Sequence, residues 1–190
     1  MTDQAITNLV AELKTITAEE TDPAAVIQRV KPLAAAMAED TSWVRSEFYD
    51  ADPDQGFGIT ILNEGPGHEL LVEAICWLPG LGVAPHDHQT WAVVVGIDGE
   101  EVNVDWQRRD DGSKPGFADI EKARETRVSH GQVVSMLPDE IHSVYNDADK
   151  PSLSLHIYGV APASLERSEF DPIAQVQRPC PQRKRKTAEG

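Results

Sequence analysis

The chain has 190 residues and a mass of 20.8 kDa, enough for one domain with a substantial core and short of two full-sized ones. With 40% hydrophobic, 26% charged and 6% aromatic residues it has the make-up of an ordinary globular protein, which excludes disordered and fibrous classes. Seventeen basic residues against 32 acidic ones give a net charge of −15, which disfavours nucleic acid as a partner. Cys76 and Cys180 are too few for a disulfide framework and lie in no zinc-binding spacing, so a reducing cytoplasm is the simplest expected home. No basic segment precedes an apolar block at the N-terminus, and no run reaches the roughly 18 apolar residues of a membrane span, so neither secretion nor a membrane partner is expected.

The charge is unevenly placed. Arg178, Arg183, Lys184, Arg185 and Lys186 fall in the last 13 residues, leaving 12 basic and 31 acidic residues over positions 1–177, a charge of −19. Residues 178–190 read as a solvated, mobile terminus that offsets the acidic body, the alternative being an anion-binding arm. Residues 1–177 read as one domain.

Taken in chain order, residues 4–17 carry Ile6, Leu9, Val10 and Leu13 at helical spacing. A second helix is expected from Asp22, a capping residue, through Pro23 at the first helical position to about Met37, with Pro32 as a point of kinking or splitting. A short helix is expected again over Pro162 to Ser168. Between them, from about Phe57 to 160, the chain breaks into short β-rich runs separated by Gly, Pro and Asp. Asp98-Gly99 between two such runs is a hairpin signal. The pattern predicts a mainly β protein, a sandwich or closed barrel with two N-terminal helices packed outside.

His86 and His88 stand in Pro-His-Asp-His at the expected start of a strand. Alternate strand residues share a face, so the pair lies about 6.6–6.8 Å apart at Cα and can converge on one ion. His142, after the turn formers Pro138 and Asp139, is the candidate third ligand, brought in by barrel closure. His68 and His130 read as loop or surface histidines. In Ser152–Tyr158 polar and apolar residues alternate, which puts Ser154, His156 and Tyr158 on one face. That row reads either as a wet strand face or as a self-satisfying polar chain that presents a phenol. Cys76 reads as a buried small hydrophobe, while Trp91 is left open between pocket wall and core.

Gly80, His86, His88, His142 and Asn146 together resemble the two motifs of the cupins, small β-barrels (double-stranded β-helices) with a metal inside. Where many cupins carry a glutamate after the second histidine, this chain has Ala92 and Val93, which leaves three neutral imidazoles. With Ser154, His156 and Tyr158 added, the set resembles the three-histidine thiol dioxygenases, the cysteine and 3-mercaptopropionate dioxygenases. That resemblance implies iron(II) held by His86, His88 and His142, with a small thiol and O2 as partners and a sulfinate as product. Tyr158, His156 and Ser154 would be catalytic, and Tyr158 would also touch substrate.

Thr60 stands where animal cysteine dioxygenases carry a carboxylate-reading arginine, and Ala92 and Val93 exclude the cysteine that cross-links to the tyrosine. Arg167, nine residues beyond Tyr158, matches the arginine of the mercaptopropionate enzymes, the alternative being a surface residue beside Glu166 and Glu169. With no acidic partner evident for an α-ammonium, 3-mercaptopropionate is expected over cysteine, with related thiols such as mercaptosuccinate open. A cysteine dioxygenase, a non-catalytic cupin that binds a metal or small anion, and a cupin enzyme of different chemistry, such as a carbon–carbon dioxygenase or an isomerase using another metal, are the other readings. Monomer and homo-oligomer are left open.

Overall fold

The computed structural model describes residues 3–188. Helix α1 spans Gln4–Glu19, with Asp3 accepting a hydrogen bond from the Ala5 amide at 2.8 Å. Helix α2 spans Pro23–Glu39, capped by Asp22 on the Ala25 amide at 2.9 Å, and runs unbroken through Pro32. Its buried stripe of Val26, Ile27, Val30 and Ala34 supplies the packing that carries it past the missing amide hydrogen.

Twelve strands follow: β1 (Phe57–Asn63), β2 (Glu69–Trp77), β3 (Gly82–His86), β4 (Ala92–Asp98), β5 (Glu100–Arg108), β6 (Ile120–Ser129), β7 (Val133–Met136), β8 (Ile141–Tyr145), β9 (Ser152–Val160), β10 (Ser168–Asp171), β11 (Val176–Pro179) and β12 (Lys186–Thr187). They form two six-stranded sheets, in the orders β12-β1-β2-β9-β4-β7 and β11-β10-β3-β8-β5-β6. Every pairing is antiparallel except that of β12 on β1. The fold is mainly β, a cupin-type double-stranded β-helix with two N-terminal helices, as the sequence predicts.

Strands β2, β9 and β4 are buried on both faces, and alternation sorts their residues. Val72, Ala74 and Cys76 of β2, with Leu153, Leu155 and Ile157 of β9, join Leu13, Val30 and Trp43 in one apolar core under the helices. The alternate residues, including Glu73, Ser154, His156 and Tyr158, turn into the barrel. Cys76 is the buried hydrophobe expected of it, its thiol pushed up to about 11 by burial. Trp91 joins the same core beneath the helices and does not line the pocket.

Several expectations are corrected. Asp98-Gly99 does turn the chain, with Gly99 at φ 67°, yet β4 and β5 belong to different sheets and do not form a hairpin. Pro162 to Ser168 contains only the 3-10 turn Pro162–Ser164. His86 ends β3 and His88 follows it, so the pair closes a strand where a strand start is expected. Residues 178–188, expected as part of a mobile terminus at 178–190, are instead docked on the barrel, β11 pairing with β10 and β12 with β1; residues 189–190 lie outside the described residues. Arg178 and Arg183 both reach Glu169, Lys184 reaches Asp52, and Lys186 reaches Asp50. Charge opposition draws the basic segment back onto the acidic body. No helix among the described residues is long and apolar enough to cross a membrane.

Candidate metal centre

Strands β3 and β8 are neighbours in one sheet, and His86 lies directly opposite His142 in their register. Pairing within a sheet, and no longer-range closure of the barrel, therefore brings the third histidine to the first two. The loop that presents His142's strand is tied down by Asn146, fully buried, which donates from Nδ2 to the carbonyls of Trp77 at 3.0 Å and Lys150 at 2.8 Å. The Gly80 amide donates to the Asn146 carbonyl at 2.8 Å, so both cupin-motif residues serve the loops that frame the site.

The ligand nitrogens of His86, His88 and His142 lie within 4.8 Å of one another. All three rings are buried, and burial holds each below the ordinary histidine range, His142 at about 4. They are neutral at neutral pH. His86 Nδ1–H donates to the Ala84 carbonyl at 2.9 Å, and His142 Nδ1–H donates to Asn103 Oδ1 at 3.2 Å, which leaves both Nε2 atoms bare. His88 Nε2 lies 3.3 Å from His142 Nε2, and its Nδ1 is buried with no partner. One proton on His88 can serve His142 but not His86 as well. A cation engages all three lone pairs at once, so the donor set fits a divalent metal with open positions and imidazole ligation.

Beside the histidines, Tyr158 meets His88 ring to ring at 5.1 Å. The expected polar row is continuous: Tyr158 Oη is 3.0 Å from His156 Nδ1, and His156 Nε2 is 2.9 Å from Ser154 Oγ. It does not stop there. Ser154 Oγ donates to Glu101 Oε2 at 2.7 Å, and Asn103 Nδ2 donates to Glu101 Oε1 at 2.9 Å. Asn103 in turn holds His142, so one buried circuit runs from the phenol to a candidate ligand through a carboxyl group that is 1% exposed. The donor directions follow from its ends. With Glu101 ionised, Ser154 spends its proton on the carboxylate, His156 Nε2–H donates to Ser154, and Nδ1 accepts from Tyr158. Burial raises Glu101 and Tyr158 and lowers His156 to about 3.

Residues 1–170 match the family model described as cysteine dioxygenase type I. The chain belongs to that family. Among solved structures the fold is similar to an uncharacterized conserved protein with a double-stranded β-helix domain from Klebsiella pneumoniae, with 14% identity over 70% of this chain and 99% of that one and a TM-score of 0.47. Recombinant oxalate oxidase in complex with glycolate shows 17% identity over 62% of this chain and 59% of that one, TM-score 0.46. For oxalate decarboxylase of Bacillus subtilis the values are 21%, 49%, 22% and 0.39.

In this member of the cysteine dioxygenase type I family, the pocket over the three histidines is walled on one side by Phe57 and Ile59 of β1. Thr60 alternates away from it, so β1 offers the pocket no cation. Ala92 is the direct neighbour of Tyr158 across β4 and β9, so no thiol occupies that cross-strand position. Arg167 lines the pocket just ahead of β10, whose Glu169 pairs with His86, and is not on a helical surface turn. Its guanidinium has no hydrogen bond or ion pair among the described residues. His68 faces Glu64 in a turn and His130 the Ile97 carbonyl, both outside the site as expected.

Sequence reading missed Glu73, Glu101 and Asn103. Glu73 lies across from His156 in the β2–β9 register and faces the pocket, 5% exposed, with Oε2 unpartnered. A single charge inside the apolar run Leu70–Trp77 was the available signal. Burial pushes its carboxyl up to about 7 against the pull of Arg185 and Arg167. The folded carboxyl thus holds its proton more tightly than the unfolded one, and the fold loses stability as pH rises from the ordinary 4.5 through about 7. Glu73→Gln should leave stability near pH 4.5 little changed and raise it at pH 8, on the order of 1–3 kcal/mol, in urea unfolding at both values. Asn103→Ala, which frees His142's outer nitrogen, should weaken metal binding about 10- to 100-fold in chelator competition, whereas Thr15→Ala on the exposed face of α1 should not change it.

Proposed function

We propose that the protein is a non-haem iron(II) thiol dioxygenase that oxidises a small thiol carboxylic acid, of which 3-mercaptopropionate is the simplest, to its sulfinate. The overall change is R–SH + O2 → R–SO2⁻ + H⁺: both oxygen atoms end on sulfur, which gives up the four electrons that O2 takes. The observation that carries the substrate reading is the unpaired Arg167 guanidinium in the wall of the pocket beside the three histidines. A guanidinium binds a carboxylate through two parallel hydrogen bonds, and leaving it unpaired in a half-buried site is costly. Family membership supports the dioxygenase class.

Iron(II) held by His86, His88 and His142 would supply open positions for a thiolate and O2 and lower the thiol pKa. The chain itself does the rest. Arg167 orients the carboxylate, and the apolar wall of Phe57 and Ile59 excludes water around the sulfur. The thiol's proton has a route: to Tyr158 Oη, with the phenol's own proton passing to His156 Nδ1, the Nε2 proton to Ser154 and the hydroxyl proton to Glu101. Each group gives up one proton and takes one, and the net change is a neutral Glu101. Its raised pKa suits it to be the terminal acceptor.

Glu73 favours a second reading. A carboxyl facing the pocket can pair with an α-ammonium, which supports cysteine as the alternative substrate.

The test is O2 uptake by anaerobically iron-loaded protein given 3-mercaptopropionate, cysteine or cysteamine, with the product weighed by mass spectrometry. A gain of two oxygens on 3-mercaptopropionate, faster than on cysteine, is expected; silence on all three with iron bound would refute the enzyme assignment. Thiol binding under argon in weak buffer should release about one proton more from Glu101→Gln than from the wild type, read with a pH indicator.

A further inference from the structure

Beyond Arg167, two more guanidiniums reach the pocket, and both come from the docked C-terminal segment. Cys180, Arg183 and Arg185 line the cavity together with residues of β1, β2 and β9. Arg183 lies against the Phe57 ring, 5.8 Å from its centroid, and its guanidinium donates to Glu169 at 2.9 Å. Arg185 stands 3.5 Å from Glu64. The segment is anchored on either side of these residues, by the Cys180 amide on the Arg167 carbonyl at 2.9 Å and by β12 on β1. These cations are therefore held at the mouth and do not trail in solvent. Both lie beyond residues 1–170, the stretch matched by the family model.

The charges around the mouth do not cancel. Glu169, 5% exposed, faces two guanidiniums, accepting from Arg178 at 2.7 Å and Arg183 at 2.9 Å, so that trio carries one uncompensated positive charge. Arg185 is balanced by Glu64. Arg167 has no hydrogen bond or ion pair among the described residues and adds a second positive charge, opposed in part by the buried Asp87 carboxyl, which accepts from the neighbouring Ser168 amide at 3.0 Å. Across the pocket Glu73 is held toward its neutral form by burial, in which state it donates to an anion and does not repel it. Tyr158, His156 and Glu64 are the other titratable groups on that side. The rest of the chain is strongly acidic, and a doubly anionic ligand approaching it needs a local positive field at the entrance. Of the five basic residues in the last 13 positions, Arg183 and Arg185 stand at the pocket, and Arg178 shares Glu169 with Arg183.

We propose that the C-terminal segment is part of the substrate site, and that Arg183 and Arg185, with Arg167, select a thiol bearing two carboxylates over one bearing a single carboxylate. This deepens the thiol-acid reading and rests on it for the sulfur, while the anion rim can be tested alone. Arg167 takes the carboxylate nearer the histidines, and the uncompensated charge of Arg183 takes the second. Arg185, 3.5 Å from Glu64, adds a hydrogen-bond donor at the rim without adding net charge.

The experiment is titration calorimetry of succinate and propionate, the thiol-free dianion and monoanion, into the full-length protein under argon, with and without iron(II). Succinate is expected to bind at least tenfold more tightly than propionate in both forms, with the preference shrinking as salt rises. Arg183→Gln should abolish most of that preference and leave propionate binding within twofold, whereas Arg183→Lys should retain it in part. If Arg183→Gln fails to fold, judged by its melting curve, Arg185→Gln and a salt titration of the wild type serve instead. Equal affinity for the two acids, or a folded Arg183→Gln that keeps the full preference, would overturn the proposal. Tight succinate binding without O2 uptake on any thiol would sink the dioxygenase reading and leave the anion rim standing.

Discussion

Strand β9 runs through the middle of its sheet with both faces buried, and the period of two along it divides the molecule's work. Leu153, Leu155 and Ile157 anchor the barrel to the two helices, while Ser154, His156 and Tyr158 line its interior. A slip of one residue would exchange the two sets, placing three polar groups under the helices and three aliphatic ones beside the histidines. Pairing with β2 on one side and β4 on the other holds the register, and it also delivers Glu73 and Ala92 to the neighbourhood of the phenol.

A polar interior is stable only when its groups are paired. Here the pairing forms a single path: Tyr158 to His156 to Ser154 to Glu101, then through Asn103 to His142. The path orients the rings, since each donor direction determines the next, and it couples the candidate metal centre to a group that can hold a proton. Of the five buried side-chain atoms without a partner among the described residues, two stand at the pocket, His88 Nδ1 and Glu73 Oε2. Both belong to residues that line the pocket, where burial without a partner is a cost the fold carries for the site.

Electrostatics works at two ranges. Close to the histidines, low solvent exposure keeps imidazoles neutral and raises the Glu73 carboxyl, which preserves ligand lone pairs and reduces negative charge on the pocket wall. Farther out, an acidic body draws back a basic terminus and sets its arginines at the mouth. Arg183 and Arg185 are there because Glu169, Asp52 and Asp50 hold the segment that carries them, and the strand pairing of β12 completes the docking.

Much of this was legible in the residues themselves. Periodicity marks both helices and most central strands, because their apolar faces repeat at 3.6 and at 2. His86, His88 and His142 are chemically distinctive and sit beside turn formers, and the alternation over Ser152–Tyr158 states its own face pairing. Strands β10 to β12 escaped because their residues are polar and their pairing is long-range, and the Asp98-Gly99 turn could not reveal that its flanking strands go to different sheets. Tertiary structure alone decided that His142 meets His86 across one strand pair, that Glu101 terminates the polar row, and that the basic tail lines the pocket. Sequence spacing is a local property, whereas these contacts join residues up to 139 positions apart through the register of sheets and the attraction of opposite charge.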